Sequence, residues 1–170
     1  MRIELVNLED TKGAFDHVYA SGELDLNDER VRLTKPARVA GRIRREGTKL
    51  KISGTIQTEV EVDCDRCLQR LELPMATEFG LEYVTVDEYN RLHAAELSEE
   101  DLNLSVFDGE TIDIDEIVRE QLLLGVPSQV FCRETCKGLC PECGANRNLT
   151  ECSCEQEAVD PRWAALKELK

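Results

Sequence analysis

At 170 residues, with 41% hydrophobic and 5% aromatic content and a formal net charge of −14, the chain has the length for one domain with a modest core and is too acidic to bind nucleic acid indiscriminately. No stretch approaches the roughly 18 apolar residues of a membrane span, and the opening MRIELVNLED holds no apolar run suited to a signal peptide, so the expected setting is the cytoplasm. In that reducing environment, eight cysteines point to metal or thiol chemistry rather than to structural disulfides.

The charge is unevenly placed. Residues 1–62 carry 11 Lys and Arg against 11 Asp and Glu, so the whole acidic excess lies beyond them. Residues 30–51 (RVRLTKPARVAGRIRREGTKLK) hold nine bases and a single acid, Glu46, whereas residues 82–120 hold thirteen acids and two bases. A local basic stripe can meet phosphate, and the acidic segment can receive a basic protein.

In chain order, Arg2–Val6 is a short strand candidate. It is followed by a polar, irregular stretch anchored by Phe15, Val18, Tyr19, Leu24 and Leu26, in which SGELDLND reads as a turn and then extended chain. From Val39 the pattern becomes strict. Val39 and Ile43 share one face and Arg42 and Arg44 the other. After a turn at Glu46-Gly47, Leu50, Ile52, Ile56, Val60 and Val62 alternate with polar residues, the signature of a strand with one buried face. Gly54 interrupts the run as a candidate bulge. Alternation resumes at Leu71, Leu73, Met75, Phe79, Leu81 and Tyr83, with Pro74 suggesting an edge position or a bulge. Residues 38–84 therefore read as a curled antiparallel meander with Cys64-Asp65-Arg66-Cys67 at a hairpin end.

Residues 85–101 read as an acidic excursion with a helical turn, and His93 and His17 as inert exposed histidines. Leu102–Phe107 and Glu110–Ile114, joined through Asp108-Gly109, are expected to pair as a hairpin. Asp113 or Asp115 can cap a helix through Ile117, Val118 and Leu122, stopped at Gly125 with Pro127 beyond, that covers the open side of the sheet. Asp113, Asp115, Glu116 and Glu120 read as a solvated cluster that favours the helix start. Asp160-Pro161 opens a last short helix with Trp163, Leu166 and Leu169 on one stripe.

Six cysteines crowd into CRETCKGLCPECGANRNLTECSC, residues 132–154. Cys140-Pro-Glu-Cys143-Gly has the form of a zinc knuckle, since a two-residue spacer aims both sulfurs at one metal, and Cys152 and Cys154 can complete its tetrahedron. Cys64, Cys67, Cys132 and Cys136 are then the four ligands of a second site, across an intervening segment of 64 residues. Zinc binding at roughly 10 kcal/mol or more can offset the entropy of closing that loop. A rival arrangement groups Cys132, Cys136, Cys140 and Cys143 and leaves the CxxC to pair with the CxC. Either way the reading is two zinc ions per chain. The expected fold is α+β, a curled antiparallel meander or partial barrel (residues 1–131) covered by a helix, with a cysteine-rich zinc-binding tail and short helix (residues 132–170).

The order of these motifs, CDRCL after an alternating strand, an acidic middle, a helix ending in LLGVP, CKGLCPECGANRN, a CxC and DPRWAALKEL, resembles the bacterial YceD family over residues 30–170. The resemblance implies a role in accumulation of large-subunit ribosomal RNA, with plant relatives in organelles and no known catalytic activity. It carries Arg66, Gly138, Gly144, Asn146 and Asn148 into the pattern beside the cysteines. Because some relatives keep the first CxxC and lack the tail knuckle, it also favours joining Cys64 and Cys67 to Cys132 and Cys136. The expected function is a non-enzymatic factor in large-subunit assembly whose partner is large-subunit RNA or a small basic ribosomal protein, with no membrane. Arg38, Arg42, Arg44, Arg45, Lys49 and Lys51 are the candidate contacts. Its alternatives are an acidic chaperone for a basic ribosomal protein without RNA contact, and a zinc enzyme or thiol oxidoreductase.

Overall fold

A computed structural model of the protein describes residues 1–5, 12–92, 104–154 and Arg162. His93 and the helix expected to carry Trp163 lie outside the described residues. The chain divides into two compact units, Met1–Asp63 with Arg70–Val130, and Cys64–Gln69 with the chain from Phe131 onward. Among the described residues the fold is α+β, built on a strongly curled half-barrel sheet and two helices.

In the first unit the elements are β1 (Arg2–Glu4), β2 (Lys12–Tyr19), β3 (Val31–Leu33), β4 (Ala37–Glu46), β5 (Lys49–Asp63), β6 (Arg70–Thr85), α1 (Val86–Leu92), β7 (Leu104–Phe107), β8 (Thr111–Asp113) and α2 (Ile114–Gly125). The main sheet has the order β2-β4-β5-β6-β7, with β3 also on β5, while β1 and β8 form a separate pair. The expected meander is β4-β5-β6. Val39, Ile43, Ile52, Ile56, Val60 and Val62 are all buried, because period-two alternation sends each of them to the same face. Pro74 sits opposite Glu59, and among the described residues β7 pairs with β6 only along Glu82–Thr85, so β6 is an edge at Pro74, the setting in which a strand tolerates proline.

Gly54 is not a bulge. It pairs with Gly41 on one side and Phe79 on the other in an unbroken register, and Gly41 in turn faces Phe15. A Cβ on Gly54 would lie 2.6 Å from the Ala40 carbonyl oxygen and 2.8 Å from the tip of the Phe79 ring, and one on Gly41 would lie 2.4 Å from the Phe15 ring. The two glycines thus leave space on the core face for two aromatic rings.

The stretch before β3, expected to be irregular, contains the strand β2. Its inward positions are Gly13, Phe15, His17 and Tyr19, and glycine and histidine among them hide the alternation. His17 is half-buried, packs edge-on to Tyr19 with ring centroids 4.5 Å apart, and lies 3.6 Å from Glu23.

The expected hairpin around Asp108-Gly109 does not form. The turn is present, with Asp108 Oδ1 accepting from the N–H groups of Glu110 and Thr111 at 2.7 and 2.9 Å. It passes the chain from one sheet to another, however: β7 runs parallel to β6, and β8 pairs with β1.

Asp113 caps α2, its carboxylate accepting from the Asp115 N–H at 3.0 Å, and Ile114, Ile117, Val118 and Leu122 bury one face in the core shared with the sheet. Gly125 belongs to the helix and is not a left-handed stop. A Cβ there would sit 2.8 Å from Met75 Cε, so the missing side chain lets the helix end lie close on β6. Asp115 is more than a solvated acid, because it accepts the hydroxyl of the buried Tyr19 at 2.6 Å. That bond satisfies the one polar group of a ring that burial would otherwise penalise.

Candidate metal centres

Both centres lie in the second unit, and each begins with the same local turn. In Cys64–Leu68 the Leu68 N–H donates to the Cys64 carbonyl at 2.9 Å, and in Cys140–Gly144 the Gly144 N–H donates to the Cys140 carbonyl at 2.9 Å. The fifth residue of each turn is left-handed, with φ of 57° at Leu68 and 72° at Gly144. That conformation lets backbone N–H groups converge on the first sulfur. It is natural for glycine and costs an L-residue roughly 1–2 kcal/mol. Leu68 is 63% exposed, so its side chain returns little packing energy. Leu68→Gly is therefore expected to stabilise the protein by up to about 1 kcal/mol, part of the gain being offset by the greater freedom of glycine in the unfolded chain. A midpoint in urea unfolding that stays level or falls would show that the Leu68 side chain is held by something more than its own loop.

The turns gather the eight cysteines, all free thiols, into Cys64, Cys67, Cys132 and Cys136, and Cys140, Cys143, Cys152 and Cys154. Within each set the sulfurs lie within 4.8 Å of one another. The rival grouping of Cys132 and Cys136 with Cys140 and Cys143 is not the one adopted. Cys64 and Cys136 sulfurs are 3.9 Å apart and those of Cys67 and Cys132 3.7 Å. A tetrahedral cation with metal–sulfur bonds of about 2.3 Å requires sulfur separations of about 3.8 Å, so each set could hold one metal ion.

The first set is held by Arg66, which sequence reasoning carried over without a role. Its guanidinium donates to the carbonyls of Glu134 and Cys136, both at 3.1 Å, and lies 4.1 Å from the centroid of the Phe131 ring. The Arg66 carbonyl accepts the Leu139 N–H at 2.9 Å, and Gly138, with φ of 72°, leaves room for it. Cys64, Cys67 and Cys136 are buried, whereas Cys143 and Cys154 of the second set are exposed.

The thiols of each set are electrostatically unequal. Burial opposes ionisation of Cys64, yet the N–H groups of Cys132, Arg66 and Cys67 outweigh it and hold this thiol at about 6. Burial and the neighbouring sulfurs push Cys132 up to about 12. In the second set the N–H groups of Cys143 and Glu142 hold Cys140 at about 6, and contacts with Cys143 and Cys140 push Cys154 up to about 12. Four like charges at this spacing repel one another, and a dication removes the conflict.

The six basic candidates belong to the first unit, on and around the β4–β5 hairpin. Arg42 and Arg44 are exposed while Ile43 between them is buried, and Arg44 faces Lys51 across the strands. Four of the six are already engaged. Arg38 makes two bonds to Asp16, at 3.1 and 2.6 Å, Lys49 pairs with Glu82 at 3.2 Å, Lys51 with Glu46 at 3.0 Å and Glu82 at 3.4 Å, and Arg44 with Glu46 at 3.8 Å. Arg42 and Arg45 form no ion pair among the described residues. Arg42 also lines two adjoining concavities, one with Gly41, Gly54 and Glu78 and the other with Ser53, Gly80 and Glu82.

A curled sheet capped by a helix, with every cysteine drawn into two four-thiol sets, describes a small cysteine-clustered α+β protein. The chain belongs to the YceD family, described as large ribosomal RNA subunit accumulation protein, whose profile matches residues 52–170. It is 30% identical to the uncharacterised protein YlbN of Bacillus subtilis, over 91% of this chain and 86% of that one. It is 32% identical to an uncharacterised protein of Mycobacterium tuberculosis, over 69% of this chain and 54% of the relative. With the chloroplastic large ribosomal RNA subunit accumulation protein YCED homolog 1 of Arabidopsis thaliana it shares 25% identity, over 79% of this chain and 49% of the relative. The chain thus spans about half the length of the mycobacterial and plant relatives. No solved structure matches it. Among the described residues, no helix is long and apolar enough to cross a membrane.

Proposed function

We propose that the protein is a non-enzymatic factor that supports accumulation of large-subunit ribosomal RNA by binding that RNA during subunit assembly, with two structural zinc ions. The description of its family supports the ribosomal role. The observation that carries the structural reading of the cysteines is their complete use in two closed four-sulfur sets. A catalytic zinc usually keeps one position for water, with His or carboxylate among its ligands, and all-sulfur sets suit a structural ion. Zinc, when bound, supplies a cross-link between distant parts of the chain. The residues around it, Arg66 above all, fix the loops that present the sulfurs.

The contact with RNA is assigned to the basic hairpin, and within it to Arg42 and Arg44. Arg42 has no carboxylate partner among the described residues and Arg44 only a distant one at 3.8 Å, so both can meet phosphate at little cost. Lys51 and Arg38 would first have to break closer pairs. Charge reversal of Arg42 and Arg44 to Glu together is expected to leave folding and metal content unchanged and to weaken co-sedimentation with large-subunit particles at least tenfold. Wild-type binding should fall as salt rises, because phosphate contacts release counterions. Undiminished, salt-insensitive binding by the double reversal would remove this hairpin from the mechanism and move the contact to the acidic segment and a basic protein.

A further inference from the structure

Asn148 belongs by sequence to the second set, in the loop between Cys143 and Cys152, yet its amide nitrogen lies 3.3 Å from the sulfur of Cys136, a member of the first. The orientation of the amide is fixed by its neighbours. Its oxygen accepts from the Lys137 N–H at 2.9 Å and from the Arg133 guanidinium at 2.8 Å, both obligate donors, so the NH2 group must face the sulfur. Asn146 Oδ1 accepts from both the backbone N–H and the side-chain NH2 of Asn148, each at 2.9 Å. The loop is laced to the strand of chain before it through Arg147 N–H to the Gly138 carbonyl at 3.0 Å and Cys140 N–H to the Ala145 carbonyl at 2.8 Å.

We propose that Asn148 is a positioning residue that couples the two metal centres: closure of the Cys143–Cys152 loop by a cation on the second set holds an amide N–H on the Cys136 thiolate, and so governs how firmly the first set keeps its own cation. This rests on the reading of both sets as zinc centres. An N–H donor takes up charge density on a metal-bound thiolate, which then competes less well for protons and for attacking electrophiles, and its metal leaves more slowly. When the second set empties, the loop loses its closure, the N–H leaves Cys136, and the buried centre becomes labile. The exposed centre, with Cys143 and Cys154 open to solvent, is thereby the one that responds to chelators first, and Asn148 passes its state inward.

The test follows zinc transfer from the full chain to an excess of chelator, in wild type, Asn148→Ala, Asn148→Asp, Cys152→Ser and the Asn148→Ala/Cys152→Ser double variant. Asn148→Asp keeps the acceptor for Lys137 and Arg133 and removes the NH2 that donates to sulfur and to Asn146, whose Oδ1 still holds the Asn148 backbone N–H, so the loop keeps its other ties while the sulfur bond is lost. Both Asn148 variants are expected to retain two zinc ions and to release the one on the first set about tenfold faster or more, as removal of a ligand's hydrogen-bond partner commonly does. Cys152→Ser should carry one zinc and release it with similar haste. The double variant should add nothing, because both changes break the same link. In cobalt-substituted protein the sulfur-to-metal charge-transfer band should move to lower energy in the Asn148 variants, which a purely structural role of the side chain would not cause. Release from the first set at the wild-type rate in Asn148→Asp, or full additivity in the double variant, would overturn the coupling. A wild-type zinc to protein ratio below two would instead overturn the metal reading beneath it.

Discussion

Cys64→Ser is expected to remove the first metal and destabilise the whole protein, whereas Cys152→Ser removes the second metal and loosens mainly residues 138–154. The first set joins residues with 64 others between Cys67 and Cys132, and losing a cross-link over a loop of that size releases about 4 kcal/mol of conformational entropy to the unfolded chain. It also leaves three thiols, two of them buried, around a position built for four, open to wrong partners. The second set closes only short loops, from Cys140 to Cys154, so its loss is local. Elemental analysis should give a zinc to protein ratio near two for wild type and near one for each variant. Amide hydrogen exchange should show protection lost throughout β4, β5 and β6 in Cys64→Ser alone. Equal, global loss in both variants would abolish the hierarchy.

Gly54→Ala is expected to cost about 3 kcal/mol or more, although it adds a single methyl group. The new carbon would stand 2.6 Å from a carbonyl oxygen of β4 and 2.8 Å from the Phe79 ring. A ring can rotate away, but a backbone oxygen in the middle of a paired strand cannot move without disturbing the ladder. For a chain of this size the loss corresponds to a fall in melting temperature of roughly 10 °C. Gly80→Ala is the control, since a Cβ at Gly80 meets nothing within 4 Å, and it should be neutral or mildly stabilising. Adding Phe79→Leu to Gly54→Ala should recover only the part of the loss due to the ring. Complete recovery would mean that the ring, and not the Ala40 carbonyl, sets the requirement for glycine.

The central meander could be read from the chain because Ile52, Ile56, Val60 and Val62 alternate with polar residues over a long run broken only at Gly54. The helix α2 was equally plain from a cap at Asp113 or Asp115 and the spacing of Ile114, Ile117, Val118 and Leu122, and the structure selects Asp113. β2 was hidden because its inward set mixes Gly13 and His17 with Phe15 and Tyr19, and hydropathy does not flag glycine or histidine as core residues. The same gap concealed the environment of Arg38, whose partner Asp16 lies on that unread strand. Asp108-Gly109 announced a turn, and turn chemistry alone says nothing about which strands its two arms will find. At the metal centres, cysteine spacing put the adopted grouping ahead of its rival, and the resemblance agreed with it. The tie from Asn148 to Cys136 was invisible because nothing in the spacing distinguishes a loop asparagine that donates to sulfur from one that only makes a turn.

The distance along the chain between the two halves of the first centre also sets an order of events during synthesis. Cys67 leaves the ribosome 65 residues ahead of Cys132, and Cys64 three residues earlier still, a wait of roughly 3–13 seconds at 5–20 residues per second. Throughout that interval the CxxC offers two sulfurs of a site that lacks its other half, and the Cys132 N–H that helps to hold Cys64 ionised is still to be made. Should the first set hold a cation, its full coordination by four sulfurs must therefore await Cys132 and Cys136, after β6 and α2 have been made.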